Sequence, residues 1–265
     1  MIVWCSYCQK YIGERAPLQN YSLSHGICLK CKSGKRYKDP HSVDGIQEVK
    51  EFFQQLSSSA QKGERLDTKS VLKKGHELGI DPVSLFFGLI QPILWKIGQE
   101  YEEKGDSVIY CEHLFTIFAE NILKEIAPEE ETFPSLKSSS DILLTCTEDE
   151  YHTLGVKSLA MQLKSMGYKC DIIYPGLPFK EVKSLLKKCS YKIIGLTIST
   201  DKQWTKSSLF SREVVEEGLV AHVILGGQYI KKNIENITLP STVKAFNRLD
   251  LLYHFLEENL QKKAA

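Results

Sequence analysis

The sequence predicts an α/β protein: a doubly wound parallel sheet over residues 140–265, preceded by a four-helix bundle over 41–128 and a small cysteine ribbon over 1–40, with a linker at 129–139. Three observations predict it. Past residue 140, short apolar runs alternate with amphipathic stretches, the pattern of parallel strands joined by right-handed helical crossovers. Between residues 42 and 128, apolar side chains recur at helical spacing. Near the start, two Cys-x-x-Cys pairs are separated by nineteen residues.

In the ribbon, Cys5-x-x-Cys8 and Cys28-x-x-Cys31 have the spacing at which two knuckles present four thiolates tetrahedrally to zinc. A segment this small has little core of its own, so zinc, worth roughly 10–16 kcal/mol of apparent binding free energy, is expected to drive its folding. Four thiolates leave no open position for a substrate, so the metal reads as structural. His25 is a fifth candidate ligand, with a place beside the ligating sulfurs or in solvent preferred. Lys30, Lys32, Lys35, Arg36 and Lys38 then form a basic cluster, either a patch for an acidic partner or a solvated linker. Asp39-Pro40-His41-Ser42 marks the boundary.

In the bundle, Ile46, Val49, Phe52, Phe53 and Leu56 outline one helix, and Val71, Leu72 and Leu78 a second. Asp81-Pro82, an N-cap and a proline at the first helical position, opens a third through Leu85, Phe86, Leu89, Ile93, Leu94 and Ile97. Pro92 inside it should kink it. Trp95 reads as bundle core. Gly105-Asp106-Ser107 breaks the chain before a fourth helix, from about Val108 to Ile126, which carries the polar pair Glu112-His113. The residues alone read this pair as a satisfied buried pair or as a site.

In the sheet, strands are expected at 141–146, 169–174, 192–198, 221–225 and 243–246, with a last helix through Leu249, Leu252, Phe255 and Leu256. The first strand leads into Glu150-Tyr151-His152-Thr153-Leu154-Gly155, so His152 sits on a strand-to-helix loop. Loops at the carboxyl ends of parallel strands line the ligand crevice. A neutral imidazole is a good transition-metal ligand, and Glu150 can accept a hydrogen bond from its other ring nitrogen. Gly155 lets backbone approach a large flat ligand. A lone His-x-x-Gly would mean little. Here two further strands end on the same edge, one in Thr197 and Ser199, the other in Gly226-Gly227. Gln203 and Trp204 follow the Thr197 strand end, where Trp204 reads equally as helix packing.

The whole is an ordinary globular composition: 42% hydrophobic, 25% charged, net charge +1 over 265 residues, without the basic bias of a nucleic-acid binder. No run of about 18 apolar residues and no secretory leader is present, so membrane and export roles are not expected. Cys111, Cys146, Cys170 and Cys189 lie in apolar patterns as buried thiols would, which points to the cytoplasm.

His152 with Gly155, then Thr197 and Ser199, then Gly226-Gly227, resemble the Asp-x-His-x-x-Gly, Ser-x-Leu and Gly-Gly signature of cobalamin-binding domains, as in methionine synthase and corrinoid proteins. The resemblance implies a flavodoxin-like (Rossmann-like) sheet that binds cobalamin base-off. His152 becomes the lower cobalt ligand in place of dimethylbenzimidazole, and the nucleotide tail lies between the hydroxyl strand end and the paired glycines. Glu150 replaces aspartate and Thr197 replaces serine, both keeping the needed oxygen.

The third and fourth helices, from Gln91-Pro92-Ile93-Leu94-Trp95 to Glu112-His113, resemble the bundle that caps the upper face of cobalamin in these families. Glu-His at this place is most similar to the cobalamin-dependent light-responsive regulators, which implies Glu112 and His113 as upper-face residues. Those regulators carry a Trp-His pair where this chain has Glu102 and Glu103, so neither their adenosyl pocket nor their light-driven bis-histidine adduct carries over. The ribbon resembles a short one appended to bacterial sensor proteins. Together these imply a cobalamin-binding sensory or regulatory protein with a protein partner. A corrinoid methyl carrier of a methyltransferase system is the alternative. Direct nucleic-acid binding is not expected, and the sequence leaves room for self-association.

Overall fold

The computed structural model describes residues 1–34, 44–127, 139–150 and 152–260. The expected boundary at 39–42, most of the linker, and Lys35, Arg36 and Lys38 of the basic cluster lie outside the described residues. The chain divides into two compact units, Met1–Glu129 and Glu130–Ala265.

In the first unit, β1 (Ile2–Cys5) is central, antiparallel to β2 (Tyr11–Glu14) and parallel to β3 (Leu23–Gly26). Helix α1 (Leu29–Ser33) follows, capped by Cys28. All four residues of β1 are buried, which three strands of four residues cannot achieve among themselves. The helices of this unit are α2 (Asp44–Gln61), α3 (Thr68–Glu77), a long helix from Pro82 to Lys104, and α6 (Ile109–Ile126); the long helix covers β1, its Gly88 lying against the Trp4 ring. The long helix comprises α4 (Pro82–Leu85), a π turn over Phe86–Ile90, and α5 (Gln91–Lys104).

The expected kink at Pro92 takes the form of that π turn. Proline has no N–H to donate, and its ring crowds the carbonyl four residues back, at Gly88; the wider π turn sits where that crowding falls. Asp81 caps the helix, accepting from the Ser84 amide at 3.0 Å. Trp95 is not bundle core: half-buried, it meets Tyr21 of the ribbon, ring centroids 6.0 Å apart. Cys111 is likewise only half-buried.

The second unit alternates β4 (Ile142–Cys146), α7 (Leu154–Ser165), β5 (Cys170–Ile173), α8 (Phe179–Lys188), β6 (Ile193–Thr197), α9 (Asp201–Glu216), β7 (His222–Gly226), α10 (Gln228–Asn233), β8 (Val243–Ala245) and α11 (Leu249–Asn259). The five strands are all parallel, in the order β5-β4-β6-β7-β8. This is the flavodoxin-like order. Leu143, Ile194, Val223 and Leu225 face a core completed by Val182, Leu186, Phe210 and Val214 of α8 and α9. Ile142, Leu144 and Ile224 face the other, completed by Val156, Ala160, Leu163, Leu252 and Leu256 of α7 and α11. The chain leaves β4 toward β5 on one side and reaches β6 on the other, so the strand order reverses at the carboxyl ends of β4 and β6. Among the described residues no single helix is long and apolar enough to cross a membrane.

Candidate functional site

Register alone brings three expected segments together: Cys146 pairs with Thr197, and Thr197 with Gly226, so the loops after β4, β6 and β7 leave one edge side by side. The loop after β4 is tied down at several points. Asp149 adopts a left-handed backbone (φ 64°), and Lys206 of α9 reaches Asp149 at 3.4 Å and Glu148 at 3.6 Å. Gly176, after β5, donates its N–H to the Glu150 carbonyl at 3.2 Å. Only glycine fits there, since a Cβ would lie 1.9 Å from the Thr147 carbonyl oxygen.

This holds the Glu150 carboxylate inward, 2% exposed, while the His152 side chain is 83% exposed. Glu150 Oε1 accepts from the His152 backbone N–H at 2.8 Å and meets His152 Nδ1 at 2.5 Å. Its Oε2 accepts from Gln203 Nε2 at 3.0 Å. Gln203 Oε1 in turn accepts from the Ser199 and Thr200 amides at 2.8 and 3.0 Å. A buried carboxylate on Nδ1 fixes ring orientation and raises the basicity of the imidazole, so a metal would be taken at Nε2.

Burial pushes the Glu150 carboxyl upward, but hydrogen bonds from the His152 ring, Ser199 and the His152 amide outweigh it and hold the group at about 2, against an ordinary value of 4.5. A folded value below the unfolded one stabilises the protein at neutral pH; that contribution fades as pH falls below about 4.5 and is gone past about 2. It amounts to something on the order of 3 kcal/mol. Denaturant melts of the cofactor-free chain between pH 7 and pH 2 should show this loss, and Glu150→Gln should lack that part of it.

The glycines divide into two kinds. Gly227 has φ +103°, and a Cβ on it would lie 2.5 Å from the Ile198 carbonyl oxygen, so the protein's own packing requires it. Gly227→Ala should therefore cost about 1–3 kcal/mol in backbone strain, plus the clash, read as a lowered melting temperature of the sheet unit. A Cβ on Gly155 would touch only Thr197 Oγ1 at 3.7 Å, and one on Gly226 only the Phe246 carbonyl at 3.9 Å. Thr197 thus lies beside both Gly155 and Gly227. Two polar atoms at this edge, Thr147 Oγ1 at the end of β4 and Gln228 Oε1 after Gly227, are buried with no hydrogen-bond partner among the described residues. Such atoms want a donor or a water. An exposed imidazole held by a buried carboxylate, a glycine-lined edge and two orphaned oxygens fit a large polar cofactor with a coordinating metal.

Sequence reasoning missed that Gln203 links Glu150 to the Ser199 strand end. The signal was present: Thr200-x-x-Gln203 is the spacing of a capping box, and both its bonds are made. Trp204 follows its packing reading, stacked on Tyr229 with centroids 5.7 Å apart.

In the first unit, His113 Nδ1 lies 2.8 Å from Glu112 Oε2, and Thr116 Oγ1 donates to Glu112 Oε1 at 3.0 Å. The His113 side chain is 67% exposed, so this is an exposed side-chain contact rather than a satisfied buried pair. The buried stripe of α6 runs through Phe115, Phe118, Ala119, Ile122 and Leu123 and leaves the pair outside it.

The sulfurs of Cys5, Cys8, Cys28 and Cys31 all lie within 4.8 Å of one another. The Cys28 amide donates to Cys5 Sγ at 3.5 Å and the Cys31 amide to Cys28 Sγ at 3.4 Å, the kind of donation that stabilises thiolates. Burial raises Cys5, yet amide donors from Cys28, Tyr7 and Cys8 bring it down to about 7, while burial pushes Cys8 and Cys31 up. Four sulfurs this close, with one already inclined to ionise, suit a tetrahedral thiophilic metal. His25 is exposed and stands outside the cluster.

No protein-family model matches the chain, and no curated protein matches it. Solved structures do. The monomethylamine corrinoid protein of Methanosarcina barkeri is 17% identical, with a TM-score of 0.60 over 78% of this chain and 98% of its own. A cobalamin-binding protein from Desulfitobacterium hafniense DCB-2 aligns over 79% and 98% at 14% identity and a TM-score of 0.40. The methanol:cobalamin methyltransferase complex of Methanosarcina barkeri aligns over 83% and 88% at 13% identity and a TM-score of 0.36. The first likeness is one of fold: over 78% of its length this chain is folded as that corrinoid protein is.

Proposed function

We propose that the chain binds cobalamin base-off at the carboxyl edge of its parallel sheet, with His152 as the lower cobalt ligand. The observation that carries this is the grip of buried Glu150 on His152 Nδ1 at the point where the strand order reverses. Glu150 orients the imidazole and raises its basicity, and Gln203 holds Glu150. Gly155, Thr197, Ser199, Gly226 and Gly227 line the edge for the nucleotide tail. The cofactor, when bound, supplies a cobalt centre whose upper ligand can be exchanged. The four ribbon cysteines hold structural Zn2+.

The role is sensory or regulatory: Glu112 and His113 serve the upper face, and the ribbon engages a protein partner. Cys146, Cys170 and Cys189 are buried thiols, which suits a reducing compartment such as the cytoplasm. A methyl carrier is the second reading, favoured by the fold shared with a monomethylamine corrinoid protein.

The test is an absorption spectrum of the chain loaded with hydroxocobalamin and with adenosylcobalamin at neutral pH, before and after green light. Spectra identical to the free cofactors would end the proposal. A shift abolished in His152→Ala supports histidine ligation, and a further change in His113→Ala supports the sensory role. If His113→Ala is silent and a methyltransferase partner turns over the methyl form, the carrier reading takes its place.

A further inference from the structure

The ribbon grips one face of a single helix. Tyr11 of β2 donates its N–H to Ser84 Oγ at 3.1 Å, and that hydroxyl donates to the capping Asp81 at 2.8 Å. Trp4 of β1 is fully buried, and its ring fills the space where a side chain on Gly88 would be: a Cβ there would lie 2.0 Å from the indole. Tyr21 meets Trp95. Positions 84, 88 and 95 fall on one helical face, and Gly88 is inside the π turn. The Trp4 indole N–H donates to Gln9 Oε1 at 3.2 Å, and Gln9, in a left-handed backbone (φ 53°), donates to the Ser6 carbonyl at 3.2 Å. Trp4 precedes Cys5 and Gln9 follows Cys8, so this link is built on the first metal knuckle.

We infer that the four-cysteine site is a metal-dependent lock on the helical unit: zinc holds the knuckle that seats Trp4 on Gly88, and its loss releases the helix from Ser84 to Trp95. This rests on the zinc reading above. The physical reason is that three four-residue strands and two knuckles have no core to hold Trp4 in place once the sulfurs are unlinked. A separate appendage would lose its own fold and leave the helices untouched; this ribbon lends the bundle a core side chain.

The test uses the full chain with Trp95→Phe and Trp204→Phe, which leaves Trp4 as its one tryptophan. With zinc bound, Trp4 should emit as a buried indole and resist an aqueous quencher. Stripping zinc with a chelator should shift the emission to the red and admit the quencher. In the unaltered chain it should raise amide exchange across Ser84–Trp95 at least tenfold, with Cys146–Gly226 of the sheet unchanged. Gly88→Ala should expose Trp4 while zinc content stays the same. Absence of zinc from both the purified and the zinc-supplemented chain would sink the zinc reading and this one with it. Zinc that comes and goes without moving Trp4 or the exchange of Ser84–Trp95 would sink the lock alone, as would a Gly88→Ala chain with Trp4 still buried.

Discussion

Cys5→Ser should strip the ribbon of its metal and unfold it. Cys5 is fully buried, and its sulfur is one of four that lie within 4.8 Å of each other. Serine at this place offers a poorer ligand and leaves a hydroxyl in a cavity shaped for sulfur. Structural zinc supplies roughly 10–16 kcal/mol of apparent free energy in comparable sites, as much as the whole stability of a typical domain, about 5–15 kcal/mol. Three strands of four residues have nothing of that size to set against its loss. Elemental analysis should find zinc falling from about one per chain to near zero, and the melting temperature of the first unit should fall with it. Full zinc content and an unchanged melt in Cys5→Ser would mean that the cysteines do not act as a metal site.

His152→Ala should have the largest effect on the cofactor. Loss of an outer-shell partner typically weakens metal binding by about 10–100-fold, and that is the range expected for Glu150→Gln, which keeps shape but removes charge. Losing the ligand itself should cost more. The two variants therefore form a graded series in titrations followed by the cobalamin spectrum: wild type tightest, Glu150→Gln intermediate, His152→Ala weakest. Equal affinity in all three would detach the Glu150–His152 pair from the site. His152→Ala has a second signature without cofactor. It removes the ring donor that helps hold the Glu150 carboxyl near 2, so the acid limb of stability should move up toward the ordinary carboxylate range.

The sheet was legible because a parallel strand buried on both faces is written as a continuous apolar run. The strand read at 192–198 is Ile193–Thr197, and the one at 221–225 is His222–Gly226, each within a residue. The local part of the site was legible for a related reason: Glu150 and His152 are two residues apart, so their bond needs only a loop. What the sequence hid lies in contacts between distant residues. Gln203 bonds to Glu150 across 53 residues and Trp4 fills a gap at Gly88, and neither leaves a periodic trace. Trp95 was misread for the same cause, because a helical pattern marks which face is covered but not whether a neighbouring helix or the ribbon covers it. Glu112 and His113 sat in a largely apolar helix, yet the pattern could not show that the buried stripe of α6 passes beside them.

The most direct measurement is electron paramagnetic resonance of the chain loaded with cobalamin and reduced to the cobalt(II) state. The unpaired electron on cobalt couples to the nucleus of its axial nitrogen. If His152 is the lower ligand, each hyperfine line splits into three with natural nitrogen and into two when the protein is grown with 15N-histidine, and both patterns vanish in His152→Ala. A three-line pattern that ignores the histidine label would show that dimethylbenzimidazole stays on the cobalt, and the central claim would be wrong.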